Sequence, residues 1–270
     1  MFTLDHLVWV LIVLALMGLL FFLDHKFKFK FKTATWIIFG IYIAAEVFKI
    51  LTHMFPASRW AASDFGGEYS ALESVSGFSG DEAKYLLPKS LPFQLCSFMI
   101  FFVAYLVFGR DEKRKELIKS FIVVIFIVAG SLAVILATCL DSSNTAHFGD
   151  SFKDPQCGPI QYFTYHAGMI WYAIYLIKTK QVKMGFKPFL TNLCFLAVMF
   201  LVGIWANSIL IVYEPNFMFL AAPPAKGLPI LNLNHGWHVY MAHYTLIAVL
   251  AVFLFELPAM IVEWKKKKEA

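Results

Sequence analysis

Seven apolar runs punctuate this sequence, each within the roughly 17–25 residues that an α-helix needs to cross a bilayer. They fall at about 7–23, 33–55, 91–108, 117–140, 159–177, 189–213 and 239–262. A segment that long and that apolar meets lipid as a helix, because only a helix satisfies every backbone amide within one segment. The reading is therefore all-α: a polytopic integral membrane bundle of seven transmembrane helices forming a single domain over 1–270. Composition agrees, with 60% of residues hydrophobic and only 15% charged, a balance that a soluble domain of this size does not need.

Charge sets the expected orientation. Basic clusters follow the first run (DHKFKFKFK), the third (GRDEKRKE), the fifth (Lys178, Lys180, Lys183, Lys187) and the seventh (WKKKK), while the other connections carry much less. The positive-inside rule then places the N-terminus outside and the C-terminus in the cytoplasm of a cell membrane, with the first run an uncleaved helix. The net charge of +5 reads as topology and attraction to anionic lipid rather than nucleic-acid binding. The Lys26–Lys32 alternation with phenylalanine is expected at the headgroups, lysines in water and rings at the acyl boundary. The polar, Gly/Ser-rich stretch 56–90 forms a long outer loop. Cys139 and Cys157 bracket another outer loop, as free thiols or as a disulfide. The four cysteines lack metal-ligand spacing, and no Gly-rich phosphate loop, HExxH or GxSxG is present, so neither metal nor cofactor is expected.

The intramembrane polar residues share a depth. Tyr42, Glu46, Lys49 and His53 fall on one helical face of the second run. At about 1.5 Å per residue, Cys96 lies roughly 8 Å and His166 roughly 10 Å below the outer ends of their runs. Asn207 and His243 belong to the same outer third. Ionisable groups in hydrocarbon are costly, so a shared layer implies a common outward-facing cavity. Taken singly, each has a plainer reading: Glu46–Lys49 as a neutralising pair, Cys96 as a small core residue, Asn207 as helix-to-helix glue, and Tyr162, Tyr165 and Tyr172 as packing or interfacial belt.

The chemistry such a layer supports is acyl transfer. A thiol becomes a nucleophile when a base generates thiolate, and His166 would take that proton and return it to a leaving alcohol. Gln94, Asn207 or His243 would donate to the tetrahedral oxyanion, while Glu46 and Lys49 would hold a headgroup or orient an imidazole. That depth suits the ester bonds of an outer-leaflet phospholipid, making phospholipid or lysophospholipid the expected partner.

EVFK at 46–49, LPFQLCS at 91–97, YFTYH at 162–166, NFMFL at 216–220 and AHYTL at 242–246 occur in that order. Together they resemble the bacterial YwaF-like membrane proteins, relatives of the animal transmembrane protein 164. The resemblance implies an intramembrane acyltransferase that moves fatty acyl chains between phospholipids through a cysteine–histidine pair. It also implies a more distant similarity to membrane hydrolases of fatty-acid esters. Under it, His166 matches the catalytic histidine and His243 the histidine opening the last span, and Asn216 joins the substrate-binding set. The animal pattern Asn-Pro-Cys-His places its cysteine at Phe93 and its histidine at Gln94; the bacterial Leu-Pro-Leu-His-Leu-Cys places one at Cys96.

Two other classes fit the same residues. A proton-coupled carrier would use Glu46, Lys49, His53 and His243 along its pathway. A seven-helix sensor or binding protein would use the 56–90 loop. Seven spans do not choose between them, because architecture does not determine function.

Overall fold

The computed structural model describes residues 4–54, 91–136, 158–211, 216–223 and 230–269, with the side chains of residues 5, 49–54, 158 and 267 outside that description. The 56–90 loop, Cys139, Cys157 and the side chains of Lys49 and His53 therefore lie outside the described residues. Among the described residues the chain is seven α-helices and one short 3-10 turn. The helices are α1 (Leu4–Phe27), α2 (Phe31–Met54), α3 (Leu95–Phe108), α4 (Glu112–Leu136), α5 (Gly158–Lys178), α6 (Phe186–Ile209) and α7 (Trp237–Glu269), and the turn is η1 (Phe217–Phe219). Five of them, α1, α2, α4, α6 and α7, are long and apolar enough to cross a membrane.

The remaining two depart from a simple span for opposite reasons. Helix α5 carries Tyr162, Tyr165, His166, Tyr172 and Tyr175, and it is the hub of the bundle. It packs against α4, α1 and α2, and its Phe163, Trp171 and Tyr172 are fully buried. A helix surrounded by protein is released from the need to be greasy all round. Helix α3 has 14 residues. At about 1.5 Å per residue it covers roughly 21 Å, short of the roughly 30 Å hydrocarbon core. The sequence places its start at Leu91, with Pro92 in the first turn. Instead, residues 91–94 form a turn and Gln94 is the N-cap, in extended conformation. Cys96 is consequently the second residue of the helix, not buried a turn and a half inside it.

Small residues let the central helices approach. A Cβ added at Gly168 of α5 would lie 3.1–3.2 Å from Ile38 and Ile41 of α2, and one at Gly130 of α4 would lie 3.2 Å from Ile170. Close backbone approach of this kind holds membrane helices together where apolar burial offers little, since lipid is equally apolar. Tyrosine hydroxyls supply polar links: Tyr172 to Thr35 at 2.8 Å, Tyr162 to the Ala133 carbonyl at 2.8 Å and Tyr175 to the Phe29 carbonyl at 2.9 Å. His6 Nε2 contacts the Val134 carbonyl at 2.8 Å, and Trp9 stacks on Phe163 with ring centroids 5.0 Å apart.

The Lys26–Lys32 stretch differs from expectation. It is a tight helix-to-helix connection, with Lys28 at φ 48, rather than a segment lying along the headgroups. Phe29 turns inward, edge-on to Trp171 at 6.4 Å, and its carbonyl accepts from Tyr175. Phe29 is thereby packed by protein, while Phe27 remains exposed beside the lysines.

Candidate functional site

The polar residues of the Cys96 end resolve into two adjoining groups. The first sits where α2, α3 and α5 converge. Tyr42 of α2 is fully buried and donates its hydroxyl to the Cys96 carbonyl at 3.1 Å. Tyr165 of α5 meets the Tyr42 ring edge-on at 4.7 Å. The side chains that interact with the Tyr165 phenol are Tyr42, Ser97, Cys96 and Glu46, so α2, α3 and α5 each contribute. Tyr165 is only 3% exposed, yet its hydroxyl oxygen has no hydrogen bond of ordinary geometry. Tyr244 of α7 interacts with Cys96 from the far side.

The second group builds a non-helical wall at residues 216–222. Gln94 reaches both of its ends to this segment, donating to the Asn216 carbonyl at 3.0 Å and accepting from the Met218 N–H at 2.7 Å. Asn207 likewise clamps Phe217, donating to its carbonyl at 3.1 Å and accepting from its N–H at 2.8 Å. The Asn216 side chain accepts from the Ala221 and Ala222 N–H groups at 3.1 and 3.0 Å and donates to the Ala222 carbonyl at 3.0 Å. Trp237 donates to the Leu220 carbonyl at 2.8 Å, Tyr244 to the Met218 carbonyl at 2.9 Å, and Tyr240 to the carbonyls of Phe219 and Ala222. Non-helical backbone at bilayer depth persists only where protein groups satisfy it, and six side chains do so here. Met218 and Phe219 both hold φ near +55°, a left-handed conformation unusual for bulky residues. Such conformations survive where surrounding contacts over-determine them.

His166 stands beside the first group. It is 4% exposed, and its Nδ1 lies 2.7 Å from the Tyr162 carbonyl. A carbonyl only accepts, so Nδ1 carries the proton and Nε2 is the basic nitrogen. The imidazole rests against the Tyr162 ring at 4.4 Å and the Tyr165 ring at 4.9 Å. Among the described residues no hydrogen bond joins it to Cys96; Tyr165 touches the imidazole and interacts with the thiol. His243 has its Nδ1 3.2 Å from the Ile230 carbonyl at the approach to α7, and Glu46 interacts with Tyr42 and Tyr165.

Of the residues singled out in the sequence, Cys96, Glu46 and His166 thus gather around Tyr165, while Gln94, Asn207 and Asn216 hold the wall. The residues that sequence reasoning passed over are Tyr165, read by default as packing or interfacial belt, and Tyr244, given no role. The available signal was positional: Tyr165 adjoins His166, and Tyr244 adjoins His243. Among the described residues no group of three or more His, Cys, Asp and Glu side chains is placed to hold a metal. A cavity of about 300 Å³ lies at the other end of α2 and α3, lined by Lys32, Trp36, Leu106, Glu112 and Lys115, and is separate from Cys96.

A bundle of long apolar helices, with irregular backbone satisfied within the protein, defines an all-helical integral membrane protein. The model of the TMEM164 family matches residues 76–256, more than half of the chain, and the chain belongs to that family. The match takes in Gln94, Cys96, Tyr165, His166, Asn207, Asn216 and His243, whereas Glu46 and Lys49 precede it. No curated protein and no solved structure matches the chain.

Proposed function

We propose that this protein is an intramembrane acyltransferase or lipid hydrolase acting on phospholipid acyl esters at the cell membrane, a member of the bacterial YwaF-like branch of its family. Cys96 is the nucleophile and His166 the base. The observation that carries the reading is the position of Cys96 on the first turn of α3, inside the polar layer of Tyr42, Glu46, Ser97 and Tyr165.

His166 Nε2 accepts the thiol proton. The sulfur attacks the ester carbonyl, forming a carbon–sulfur bond as the carbonyl electron pair moves to oxygen. Collapse breaks the ester carbon–oxygen bond, and His166 returns the proton to the departing lysophospholipid oxygen. The acyl thioester then passes to a second lipid hydroxyl or to water by the same steps in reverse.

Purified protein incubated with a defined diacyl phospholipid, followed by intact-mass measurement, tests this. The expected result is a hydroxylamine-sensitive gain of one acyl chain that is absent in Cys96→Ala. His166→Gln should slow the gain about 10²–10⁴-fold, the usual contribution of a positioned base. Unchanged lipid remodelling in Cys96→Ala would remove the cysteine from the mechanism.

A further inference from the structure

An acyl-transfer site needs donors aimed at the oxygen of the tetrahedral intermediate, and the amides that the sequence offers for this are already engaged. Gln94 and Asn207 each have both ends on the backbone of residues 216–218. Withdrawing Gln94 has a consequence on its own helix. As N-cap of α3 it makes no side-chain cap, and the first bond of the helix runs from the Phe98 N–H to the Gln94 carbonyl. The N–H groups of Leu95, Cys96 and Ser97 precede that bond; the Cys96 N–H faces its own sulfur, and among the described residues no backbone carbonyl accepts from any of the three. Unsatisfied first-turn amides form an anion site wherever a ligand can approach.

A second, independent feature points into the same place. Tyr165 is only 3% exposed, its hydroxyl makes no hydrogen bond of ordinary geometry, and the Tyr42 and Ser97 hydroxyls and the Cys96 thiol lie close enough to interact with it. A buried phenol usually finds an acceptor. Its neighbour Tyr42 has done so, donating to the Cys96 carbonyl at 3.1 Å and thereby anchoring the first turn of α3. Tyr165 keeps its proton available beside the thiol.

We infer that the Tyr165 hydroxyl and the first-turn amides of Cys96 and Ser97 together form the oxyanion site of this enzyme, receiving the carbonyl oxygen of a lipid ester. The assignment rests on the acyl-transfer reading above and adds a catalytic residue to it. As the sulfur bonds to the acyl carbon, the carbonyl electron pair moves onto oxygen, and the phenol and amides donate to that oxygen without transferring a proton. When the carbonyl re-forms and the ester carbon–oxygen bond breaks, the same donors are released. Tyr42 serves as a positioning residue, because its hydroxyl is committed to backbone.

Tyr165→Phe, with Tyr42→Phe as companion, tests this in three measurements on the full chain. The first is thioester formation from a diacyl phospholipid, expected to fall about 10²–10³-fold in Tyr165→Phe, as for loss of one oxyanion donor. The second is affinity for a non-cleavable diether phospholipid, expected unchanged. The third is alkylation of Cys96 by iodoacetamide, which displaces iodide without forming an oxyanion and should proceed at the wild-type rate. Equal slowing of alkylation and thioester formation would place Tyr165 on the thiol and overturn the oxyanion role. Thioester formation within twofold of wild type, with Cys96→Ala inactive, would overturn it and leave the acyl-transfer reading standing. Activity persisting in Cys96→Ala would instead overturn that reading. Should Tyr165→Phe fail to fold, 3,5-difluorotyrosine at 165 keeps the shape and donates more strongly; a thioester rate within twofold of wild type would then overturn the assignment.

Discussion

At the level of single residues, the neutral amides of this membrane protein act as backbone substitutes. Phe217 is fully buried in a short 3-10 turn whose only own bond to it is from the Leu220 N–H to its carbonyl at 3.2 Å, and Asn207 accepts from its N–H and gives its carbonyl a second donor. Asn207→Leu removes both at once. The expected loss is about 1–3 kcal/mol for each buried group left unsatisfied, read as a lower midpoint of thermal unfolding in detergent. Gly203 faces the same wall: an added Cβ would fall 2.7 Å from Leu220 Cδ1 and 3.1 Å from Met218 Sδ. Gly203→Val therefore overpacks the contact between α6 and the wall and should destabilise by about 1–3 kcal/mol. It should also change the alkylation rate of Cys96, because Gln94 couples the wall to the start of α3. Residue type alone suits Gln94 and Asn207 to catalysis, but their hydrogen-bond partners lie ten or more than a hundred residues away along the chain and leave no trace in local sequence.

At the level of elements, the opposite end of the bundle explains a buried carboxylate. Glu256 of α7 is fully buried and accepts from the Gly185 N–H at 2.8 Å and from Asn192 Nδ2 at 3.0 Å. The same Asn192 amide donates to Ser120 of α4 at 3.2 Å. Glu263, two turns on, accepts from the Phe186 N–H at 3.2 Å. Gly185 and Phe186 open α6, so two carboxylates of α7 cap its N-terminus from outside, where negative charge is favoured. Gly185 holds φ +138°, and an added Cβ would fall 2.3 Å from Glu263 Oε1, so glycine is required on both counts. Glu256→Leu should cost about 1–3 kcal/mol or more by leaving the Gly185 N–H and one of the two Asn192 Nδ2 hydrogens unpartnered. Glu256→Gln, which keeps one acceptor oxygen, should cost less. Thermal unfolding of both variants in one detergent separates them; equal effects would mean the capping bonds contribute little.

At the level of the whole molecule, the basic connections define one face. Lys178 pairs with Asp24 at 3.3 Å and Lys183 with Glu116 at 2.8 Å, joining α5 to α1 and the α5–α6 turn to α4 at that face. The Lys183–Glu116 pair is exposed and adds little stability, whereas the Asp24 carboxylate is buried; for both, it is the side of the membrane that labelling tests. With native cysteines replaced by serine, Lys113→Cys and Lys180→Cys should react with a membrane-impermeant maleimide only from the cytoplasmic side. His235→Cys should react only from outside. The reverse pattern would invert the orientation inferred from positive charge and move the Tyr165 site to the inner leaflet.

What the sequence determined by itself is the set of helices and their membrane character. Lipid makes that demand locally: each backbone amide must bond four residues away, and an apolar run of sufficient length satisfies both requirements without reference to the rest of the chain. It also singled out Cys96, Glu46 and His166, which the structure gathers around Tyr165. Rotation about the helix axis and the position of irregular backbone were decided by tertiary structure alone. The start of α3 moved from Leu91 to Leu95 because Gln94 bonds a segment more than a hundred residues later. Tyr165 became central because α2 and α3 converge on its face of α5, and no pattern around a tyrosine in an apolar helix distinguishes that face from one turned to lipid.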